Sequence, residues 1–415
     1  MLFYSTRDKN NCLKASDAIL KGLASDGGLF VPSEFPVIEN LSLDQSYSSF
    51  AYEVLKPFFK DDILEDYLFD ICQNAFNFPL PLKELSNTSV LELFHGPTSA
   101  FKDFGARFLA FTMEKLLELK NEELTILVAT SGDTGGAVAS AFHNRKNLKV
   151  KVLYPSKRVA ARQEKQLTCY DNNISSYEVK GSFDDCQKMV KNAFLDSSLS
   201  NLSSANSINL GRLLPHLVYY VYTSMVYYNK NNKKPVVIIP SGNVGNSTGA
   251  FWAKQIGSPI EKIVLAVNAN TTIVDYLNTS KYVEKESVQT LANAMDVGAP
   301  SNMERIFSLF TTYDEVKANL EACSVSDEEI KETIVKVYER ENYIMCPHTA
   351  CGEFVRAKYY DKVNTILVST AHPAKFETIV EPLINKTVEV PEALAALINK
   401  ESNKILVNPD YKEIF

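Results

Sequence analysis

The chain has 415 residues, of which 45% are hydrophobic and 22% are charged, a composition typical of globular proteins. Because one hydrophobic core rarely serves so long a chain, we expect two or three domains. The formal net charge of -7 provides no excess of basic residues, so we predict no nucleic-acid partner, although a local site for a small phosphorylated ligand remains compatible with it.

The N-terminal residues resemble no targeting segment. MLFYSTRDKN lacks the basic start and the apolar run of a signal peptide, and no later stretch approaches the length of a membrane span. The seven cysteines are odd in number and scattered, which favours free thiols in a reducing compartment over a disulfide framework. We therefore predict a cytoplasmic protein without a membrane partner.

The first eighty residues are predicted to be mainly helical. Apolar residues recur at helical spacing in two groups: Tyr47, Phe50, Val54, Leu55 and Phe58, then Ile63, Leu64, Tyr67, Leu68 and Ile71. Two prolines in FNFPLP, at 76–81, interrupt this pattern and indicate a domain boundary. We place an N-terminal domain at residues 1–80 and a second region at 81–415.

Beyond this boundary, short apolar runs alternate with helical stretches. The runs occupy residues 125–129, 150–154, 236–239, 263–267 and 365–368. Their continuous apolar character favours strands that are covered on both faces of a parallel sheet. Such sheets bind ligands at the carboxyl ends of their strands, so chemistry is expected after these runs. Ser326 and Glu329 predict a capping box at the start of a later helix.

A lysine in an apolar setting precedes the first of these strands. Lys102 lies in HGPTSAFKDFG, at 95–105, with Phe101, Phe104 and Phe108 nearby in the sequence. A lone lysine is usually a solvated charge, but burial among these rings would disfavour the ammonium form and lower the pKa. Schiff-base chemistry requires a neutral amine, so Lys102 is a candidate for it.

A polar segment, TSGDTGG at 130–136, follows the strand at 125–129 and opens a predicted helix at 137–144. Its hydroxyls and backbone N–H groups cluster where a carboxylate could bind. The alternative is an N-capped helix without a ligand, with Ser131 or Asp133 as the cap. The residues alone do not favour the binding site over this alternative.

A glycine-rich turn, PSGNVGN at 240–246, follows the strand at 236–239 and precedes a predicted helix at 247–256. Gly242 and Gly245 let the backbone turn sharply, so several N–H groups can converge on one anion at the positive end of a helix dipole. We interpret the turn as a phosphate site; the alternative is a tight turn whose glycines serve geometry alone. Because it lacks the dinucleotide fingerprint and the P-loop lysine, the turn argues against a nucleoside triphosphate.

Cys346, His348 and Cys351 bring three potential metal ligands together within six residues. Without a second cluster, this arrangement is a poor structural zinc site. We predict no metal.

The segments HGPTSAFKDFG, ATSGDTGGA, PSGNVGN and STAHPAKF, in this order, resemble the motifs of threonine synthases of the longer bacterial and fungal type. These belong to the tryptophan-synthase-β-like enzymes that use pyridoxal 5'-phosphate (PLP), fold type II. STRD, DGGLFVP, SSANSINLGR and LANAMDVGAPSN extend the resemblance over nearly the whole chain. It implies an α/β fold with two open, mostly parallel domains around the active site, plus the mainly helical N-terminal domain. The smaller subdomain would span 103–210 and the larger one 81–102 plus 211–415.

The resemblance also assigns residues to the cofactor. Lys102 would form the Schiff base with PLP, and the turn formed by Gly242, Asn243, Val244, Gly245 and Asn246 would bind the PLP phosphate. Thr370, in STAHPAKF, would place its hydroxyl opposite the pyridine nitrogen. The family usually has an aromatic residue where Val244 stands and often has Asp where Asn246 stands, which leaves the role of the Asn246 side chain open.

A second set of residues is assigned to the substrate by the same resemblance. Ser131, Asp133 and Thr134 would bind the α-carboxylate and neighbouring groups; Asn206, Ser207 and Arg212 would bind a phosphate, with Asn209 as a further candidate. Arginine suits this role because its planar fork matches a tetrahedral anion. The implied reaction converts O-phospho-L-homoserine and water to L-threonine and phosphate, the last step of threonine biosynthesis, in a monomer or homodimer.

Three other interpretations remain open at this point. A serine/threonine dehydratase or a cysteine-synthase-like enzyme would share the chemistry of Lys102 but needs no second phosphate site. A non-catalytic PLP-binding paralogue should lack a complete set of substrate residues. A plain nucleotide-binding domain is disfavoured by the missing fingerprints.

Overall fold

The computed structural model describes residues 1–38 and 40–415. Its N-terminal part combines a small antiparallel sheet of order β2-β1-β3 with three helices. These elements are β1 (Leu2–Ser5), β2 (Cys12–Lys14), α1 (Ala15–Lys21), β3 (Phe30–Pro32), α2 (Tyr47–Leu55) and α3 (Leu68–Ala75). The first helix expected from apolar spacing is confirmed as α2, with Phe58 in the 3-10 helix Lys56–Phe59 that follows it. The second is confirmed only from Leu68 onward, as α3, while Tyr67 ends a separate 3-10 helix, Glu65–Tyr67. The sheet was not predicted, because strands of three or four residues are too short to show a periodic pattern.

Strands and helices then alternate along the middle of the chain. They are β4 (Leu82–Leu85), β5 (Thr88–Glu92), α4 (Lys102–Lys120), β6 (Leu124–Ala129), α5 (Asp133–Phe142), β7 (Leu148–Pro155), α6 (Ala161–Thr168), β8 (Ile174–Val179), α7 (Phe183–Leu195) and β9 (Leu202–Ser204).

The same alternation continues to the C-terminus. The elements there are α8 (Leu210–Asn231), β10 (Val236–Pro240), α9 (Gly245–Gln255), β11 (Lys262–Val267), α10 (Thr272–Thr279), α11 (Met303–Leu309), α12 (Tyr313–Asn319), β12 (Leu320–Ser324), α13 (Asp327–Glu341), α14 (Pro347–Tyr359), β13 (Thr365–Ser369), α15 (Glu377–Ile384), α16 (Glu392–Ile398) and β14 (Ile405–Val407). The capping box predicted at Ser326 and Glu329 is confirmed at the start of α13.

Two larger sheets organise this region, which confirms the predicted α/β class. One has six strands in the order β12-β11-β10-β13-β5-β4, parallel except for β4, which pairs antiparallel with β5. The other has five strands in the order β14-β8-β7-β6-β9, all of them parallel. All five apolar runs are strands, and β5, β10 and β13 are buried along their whole length, as expected for strands that are covered on both faces.

The C-terminal strand lies in a different sheet from the one that the sequence suggested. Ile405–Val407 pairs with β8 in the five-stranded sheet, whereas the sequence placed residues 211–415 with the larger subdomain. The reason is that β8 offers an open edge, and the short strand completes it. Three apolar residues carry no information about which of two sheets they will join.

Helix α4, which begins at Lys102, packs against the N-terminal part. Phe104, Phe108 and Met113 are fully buried in the same hydrophobic cluster as Phe50 and Phe59 of the N-terminal part. The helix that begins at Lys102 therefore shares a hydrophobic core with the N-terminal part. None of the helices in the described part of the chain is long and apolar enough to cross a membrane.

Candidate active site

Residues that follow β6, β10 and β13 line one cleft of about 550 Å³, a volume within the range of small-molecule sites. Apart from Asn209, the structure brings together in this cleft the residues that the resemblance assigned to cofactor or substrate. They are Lys102, Ser131, Asp133, Thr134, Asn206, Ser207, Arg212, Gly242, Asn243, Val244, Gly245, Asn246 and Thr370. β10 and β13 are neighbours in the six-stranded sheet, so their carboxyl ends lie at one edge. Residues that follow β6 and β9 of the five-stranded sheet line the same cleft.

Backbone contacts place Lys102 beside Thr370. Phe101 N donates to Thr370 O at 2.8 Å, and Ala100 forms an antiparallel bridge with Ala371. The chain enters this bridge through Ser99, which has a left-handed φ of 56°. The segment before α4 thus runs against the end of β13, and this contact joins two motifs that are far apart in the sequence.

The environment of Lys102 favours its neutral amine. Burial lowers the pKa of Lys102 to about 8; Asp133 opposes this effect, and Lys375 and Arg212 reinforce it. The side chain is only half-buried because it opens on the cleft, although surrounding protein atoms desolvate the amine. A lysine with a pKa near the operating pH can act as nucleophile and as base.

The turn between β10 and α9 is shaped by close packing against a neighbouring loop. A Cβ on Gly242 would lie 2.6 Å from Met295 Cα, so only glycine fits there. Val244, at the N-cap of α9, has a left-handed φ of 64°, which is unusual for a β-branched residue and typical of functional turns. The first N–H groups of α9 lack partners within the helix, so they are available to an anion.

Asn246 is oriented by two tyrosines of α8. Tyr219 Oη and Tyr220 Oη donate to Asn246 Oδ1 at 2.5 and 2.8 Å. Its Nδ2 is buried and has no hydrogen-bond partner among the described residues, which makes it a free donor at the turn. Asn243 differs, because its side chain donates to Ser207 Oγ at 2.7 Å and accepts from Ser301 N at 2.7 Å.

The start of α5 is open to an anion. Its N-cap is Gly132, with φ 145° and no side-chain cap, so the prediction of Ser131 or Asp133 as the cap is wrong. Thr130 Oγ1 instead accepts from the N–H groups of Gly132 and Gly135. The N–H groups of Asp133 and Thr134, the first two of α5, remain available to a carboxylate.

The Asp133 carboxylate faces cations rather than the open cleft. Its Oδ1 lies 2.8 Å from Lys375 Nζ and accepts from Gln163 Nε2 at 3.0 Å. Burial opposes ionisation of Asp133, but Lys375 and Lys102 outweigh burial and lower its pKa. The carboxylate is therefore ionised and already paired.

Arg212 is a buried cation that also lines the cleft. Its Nη1 donates to Ala205 O at 2.6 Å, while its Nε is buried and has no partner among the described residues. Burial lowers the pKa of Arg212 to about 10, with Asp103 opposing, so the group stays charged at neutral pH. Gly105 makes room for it, since a Cβ there would lie 3.0 Å from Arg212 Nε. A buried charge with unused donors favours an anionic ligand.

Two histidines of the cleft were not predicted. His216 lies one helical turn after Arg212 on α8, and burial lowers its pKa to about 3, helped by Arg212 and Lys102. His348 lines the cleft from the start of α14. The spacing of four residues between Arg212 and His216 was the only available signal for the former.

Other candidates lie outside the cleft or have structural contacts. The side chain of Asn209 caps α8 and donates to Ile19 O and Ser204 O, so it does not line the cleft. Among residues 1–38 and 40–415, no three His, Cys, Asp or Glu side chains form a group that could hold a metal ion.

The arrangement fits PLP. A lysine with a lowered pKa shares the cleft with a turn in which Gly242 leaves no room for a Cβ. The same cleft includes two buried donors without partners in the described part of the chain, Asn246 Nδ2 and Arg212 Nε. Lys102 can bond to an aldehyde, and the start of α9 with Asn246 can hold a phosphate. Fold and site together define a PLP-dependent enzyme of fold type II.

Three family models match the chain along its length. The model described as "Threonine synthase N terminus" matches residues 2–76, "Pyridoxal-phosphate dependent enzyme" matches 78–365, and "Threonine synthase, C-terminal" matches 349–414. The chain belongs to the threonine synthase family of PLP-dependent lyases and acts in threonine biosynthesis. These matches confirm the predicted family, function and cofactor.

Individual relatives agree with the family models. The threonine synthase of Buchnera aphidicola subsp. Schizaphis graminum is 37% identical over 424 residues, which cover 100% of this chain and 98% of the relative. That of Escherichia coli K12 is 36% identical over 404 residues, which cover 95% of this chain and 94% of the relative.

Solved structures extend the likeness to the fold. Threonine synthase from Escherichia coli matches with a TM-score of 0.91 at 34% identity, covering 100% of this chain and 98% of that one. PLP-bound threonine synthase from Brucella melitensis matches with a TM-score of 0.92 at 32% identity and the same coverage. A threonine deaminase from Solanum lycopersicum, at 18% identity and a TM-score of 0.56, shares the fold alone. The dehydratase and cysteine-synthase alternatives are therefore not favoured.

Proposed function

We propose that this cleft converts O-phospho-L-homoserine and water to L-threonine and inorganic phosphate. One observation favours a phosphorylated substrate over an unphosphorylated one. Arg212 is a charged, buried guanidinium in the same cleft as Lys102, and its Nε has no partner within residues 1–38 and 40–415. A dehydratase or cysteine synthase needs no second anion site of this kind, whereas a phosphate ester would complete the hydrogen bonds of Arg212.

The cofactor would be held by residues on one side of the cleft. The glycine turn at 242–245 and the free Nδ2 of Asn246 would bind its phosphate, and Thr370 would face the pyridine nitrogen. Because the Asn243 side chain is bound to Ser207 and Ser301, we assign the backbone of Asn243, not its amide, to the phosphate. PLP, when bound, supplies an electron sink for negative charge that develops at the substrate Cα.

Lys102 would move the protons of the reaction. Its amine is neutral in a large share of molecules near pH 8, so it can accept the proton from substrate Cα and return it there at the end. The half-open position of the side chain leaves it free to swing between cofactor and substrate. The positive charges of Lys375 and Arg212 help to keep the amine neutral.

The substrate would be held at both ends. Its α-carboxylate would bind the free N–H groups at the start of α5 together with the hydroxyls of Ser131 and Thr134. Its phosphate would bind Arg212, Asn206 and Ser207. We assign Asp133 a supporting role, because its carboxylate is already paired with Lys375 and would repel a second carboxylate.

Three broader assignments remain part of the proposal. The division into residues 1–80, a smaller subdomain at 103–210 and a larger one at 81–102 plus 211–415 is supported by the three sheets, with β14 added to the smaller unit. A cytoplasmic location is supported by the free thiols of all seven cysteines. Assembly as a monomer or homodimer stays a prediction, to be measured by light scattering.

The activity is tested by supplying purified PLP-loaded protein with O-phospho-L-homoserine and measuring threonine and phosphate. We expect the two products in equal amounts. L-Serine and L-threonine serve as comparison substrates, since a dehydratase would release ammonia and a 2-oxo acid from them. Ammonia release without threonine formation would reject the proposal.

Arg212→Met tests whether Arg212 binds the substrate phosphate, which a threonine synthase requires and a dehydratase does not. Loss of a charged hydrogen-bond donor should cost about 1.5–3 kcal/mol in substrate binding, or a roughly 10- to 100-fold rise in KM for the phosphorylated substrate. The absorbance of bound PLP should persist, because Arg212 lies outside the glycine turn. An unchanged KM would show that Arg212 does not bind the substrate phosphate.

A further inference from the structure

A second lysine of the site, Lys375, is more deeply buried than Lys102. It lies in the 3-10 helix Pro373–Phe376 after β13, is 1% exposed, and does not line the cleft. Its Nζ lies 2.8 Å from Asp133 Oδ1 and donates to Thr98 O at 2.9 Å. Burying an ammonium group is unfavourable unless the group is well paired, so this placement requires both contacts.

These contacts join three segments of the cleft. Thr98 precedes Lys102, and its N and Oγ1 donate to Asp103 at 2.8 and 2.7 Å. Asp133 is the first residue of α5, and Gln166 of the following helix also donates to Thr98 O, at 3.1 Å. One ammonium group therefore connects the segment before α4, the start of α5 and the segment after β13.

The ion pair between Lys375 and Asp133 affects the protonation of Lys102. The groups that act on the Asp133 carboxylate are Lys375, Lys102 and His348, and those that act on Lys102 are Asp133, Lys375 and Arg212. If Lys375 were neutral, the buried carboxylate would have Lys102 as its main remaining cation. An ammonium form of Lys102 would then be favoured.

We infer that Lys375 is a positioning residue which fixes the start of α5 and serves as the counter-ion of Asp133. Lys102 is then not needed as an ammonium ion to neutralise the Asp133 carboxylate. The inference rests on the proposed role of Lys102 in binding the cofactor. It does not depend on which amino acid is the substrate.

The test measures how fast the cofactor-free protein takes up PLP as a function of pH, followed by absorbance without any substrate. In Lys375→Met, we expect the midpoint of the pH profile to move upward by about one pH unit or more. In Lys375→Met/Asp133→Asn, which removes both charges, the midpoint should return toward that of the wild type. Because no substrate is present, a failure of the proposed reaction would leave this result unaffected.

Arg356→Met is the matched control. Arg356 is also 1% exposed and pairs with Glu353 at 2.7 Å, on α14 outside the cleft. A purely structural role for a buried ion pair predicts that both Arg356→Met and Lys375→Met lower the urea midpoint while leaving the pH profile unchanged. That result for Lys375→Met would overturn the inference.

The double variant keeps the test decisive if Lys375→Met does not fold. It removes both members of the buried ion pair, so neither is left without its partner, and the opposing effects of Asp133 and Lys375 on Lys102 are removed together. A midpoint within about half a pH unit of the wild type supports the counter-ion role. An upward shift as large as that expected for Lys375→Met alone would contradict it.

Discussion

At the scale of single residues, Lys102 is surrounded by charges whose effects on its amine partly cancel. Asp133 raises its pKa, while burial, Lys375 and Arg212 lower it. The net result is a pKa of about 8, below the ordinary value of 10.5. The folded chain therefore holds the Lys102 proton less favourably than the unfolded chain does, and this has a consequence for stability.

Lys102→Met is expected to stabilise the cofactor-free protein at pH 7 by about 2–3 kcal/mol. At that pH both states of the wild type carry the proton, and the folded state is penalised for it. Between about pH 8 and 10.5 the unfolded chain binds more protons, so wild-type stability rises and the advantage of the variant shrinks. Urea unfolding of both proteins at pH 7 and pH 10 measures this difference.

Lys120→Met provides a control on the same helix. Lys120 lies at the exposed end of α4 and pairs with Asp17 on the surface, so its loss should change stability by less than about 1 kcal/mol. A Lys102→Met protein that is less stable than the wild type at pH 7 would contradict the electrostatic account.

At the scale of elements, the turn between β10 and α9 is fixed by contact with the loop around Met295. The helix start provides N–H groups, while the loop behind it leaves no room for a side chain at position 242. Val244 accepts a left-handed conformation in this turn, which costs about 1–2 kcal/mol for a residue other than glycine. The strain is compatible with a turn whose shape serves a ligand.

Gly242→Ala is expected to weaken PLP binding at least about tenfold, equivalent to 1.4 kcal/mol. The added Cβ would lie 2.6 Å from the Met295 backbone, so the turn must move away from its present position. Fluorescence or absorbance titration of the cofactor-free protein with PLP measures the change.

Gly257→Ala is the appropriate comparison for Gly242→Ala. Gly257 has a left-handed φ of 96°, and a Cβ there would meet nothing within 4 Å. That variant should lose stability through backbone strain alone, with unchanged PLP affinity. Equal losses of affinity in the two variants would assign the effect to general destabilisation.

At the scale of the whole molecule, Arg305 connects the N-terminal part to the cleft. It is fully buried, and its guanidinium donates to Phe30 O at 3.1 Å, Ser207 O at 3.0 Å and Ile208 O at 2.7 Å. Phe30 belongs to the N-terminal sheet and Ser207 to the cleft. The N-terminal part therefore helps to hold the segment that we assign to the substrate phosphate.

Arg305→Met is expected to destabilise the protein by about 3 kcal/mol or more, because three carbonyl groups, one in a buried and two in partly buried hydrogen bonds, lose their donor at about 1–3 kcal/mol each. KM for the phosphorylated substrate should rise as well, since the segment at 206–208 is no longer fixed. Urea unfolding and steady-state kinetics measure the two effects. Arg7→Met, which removes an ion pair with Glu304 from a side chain that is 54% exposed, should cost about 1 kcal/mol or less.

The local sequence predicted a strand or helix correctly where the apolar pattern or turn residues lay within one segment. The apolar runs at 125–129 and 236–239 predicted strands, and the glycine turn after the second predicted the start of a helix. Apolar spacing predicted α2 and, from Leu68 onward, α3. The three-residue strands β2, β3, β9 and β14 had no such signal, because their pairing partners alone make them strands.

The amino-acid sequence by itself predicted the family and the cofactor, and with them the residues that meet in the cleft, because its motifs in order resemble those of a known family and each motif lies within a few adjacent residues. Only the tertiary structure decided the electrostatic roles: Asp133 pairs with Lys375, Arg212 keeps an unused donor, and Arg305 joins the N-terminal part to the cleft. These contacts link residues that are far apart in the chain. The effect of one charge on another depends on the distance between them and on how deeply they are buried. Both depend on tertiary packing, so no local sequence pattern predicts them.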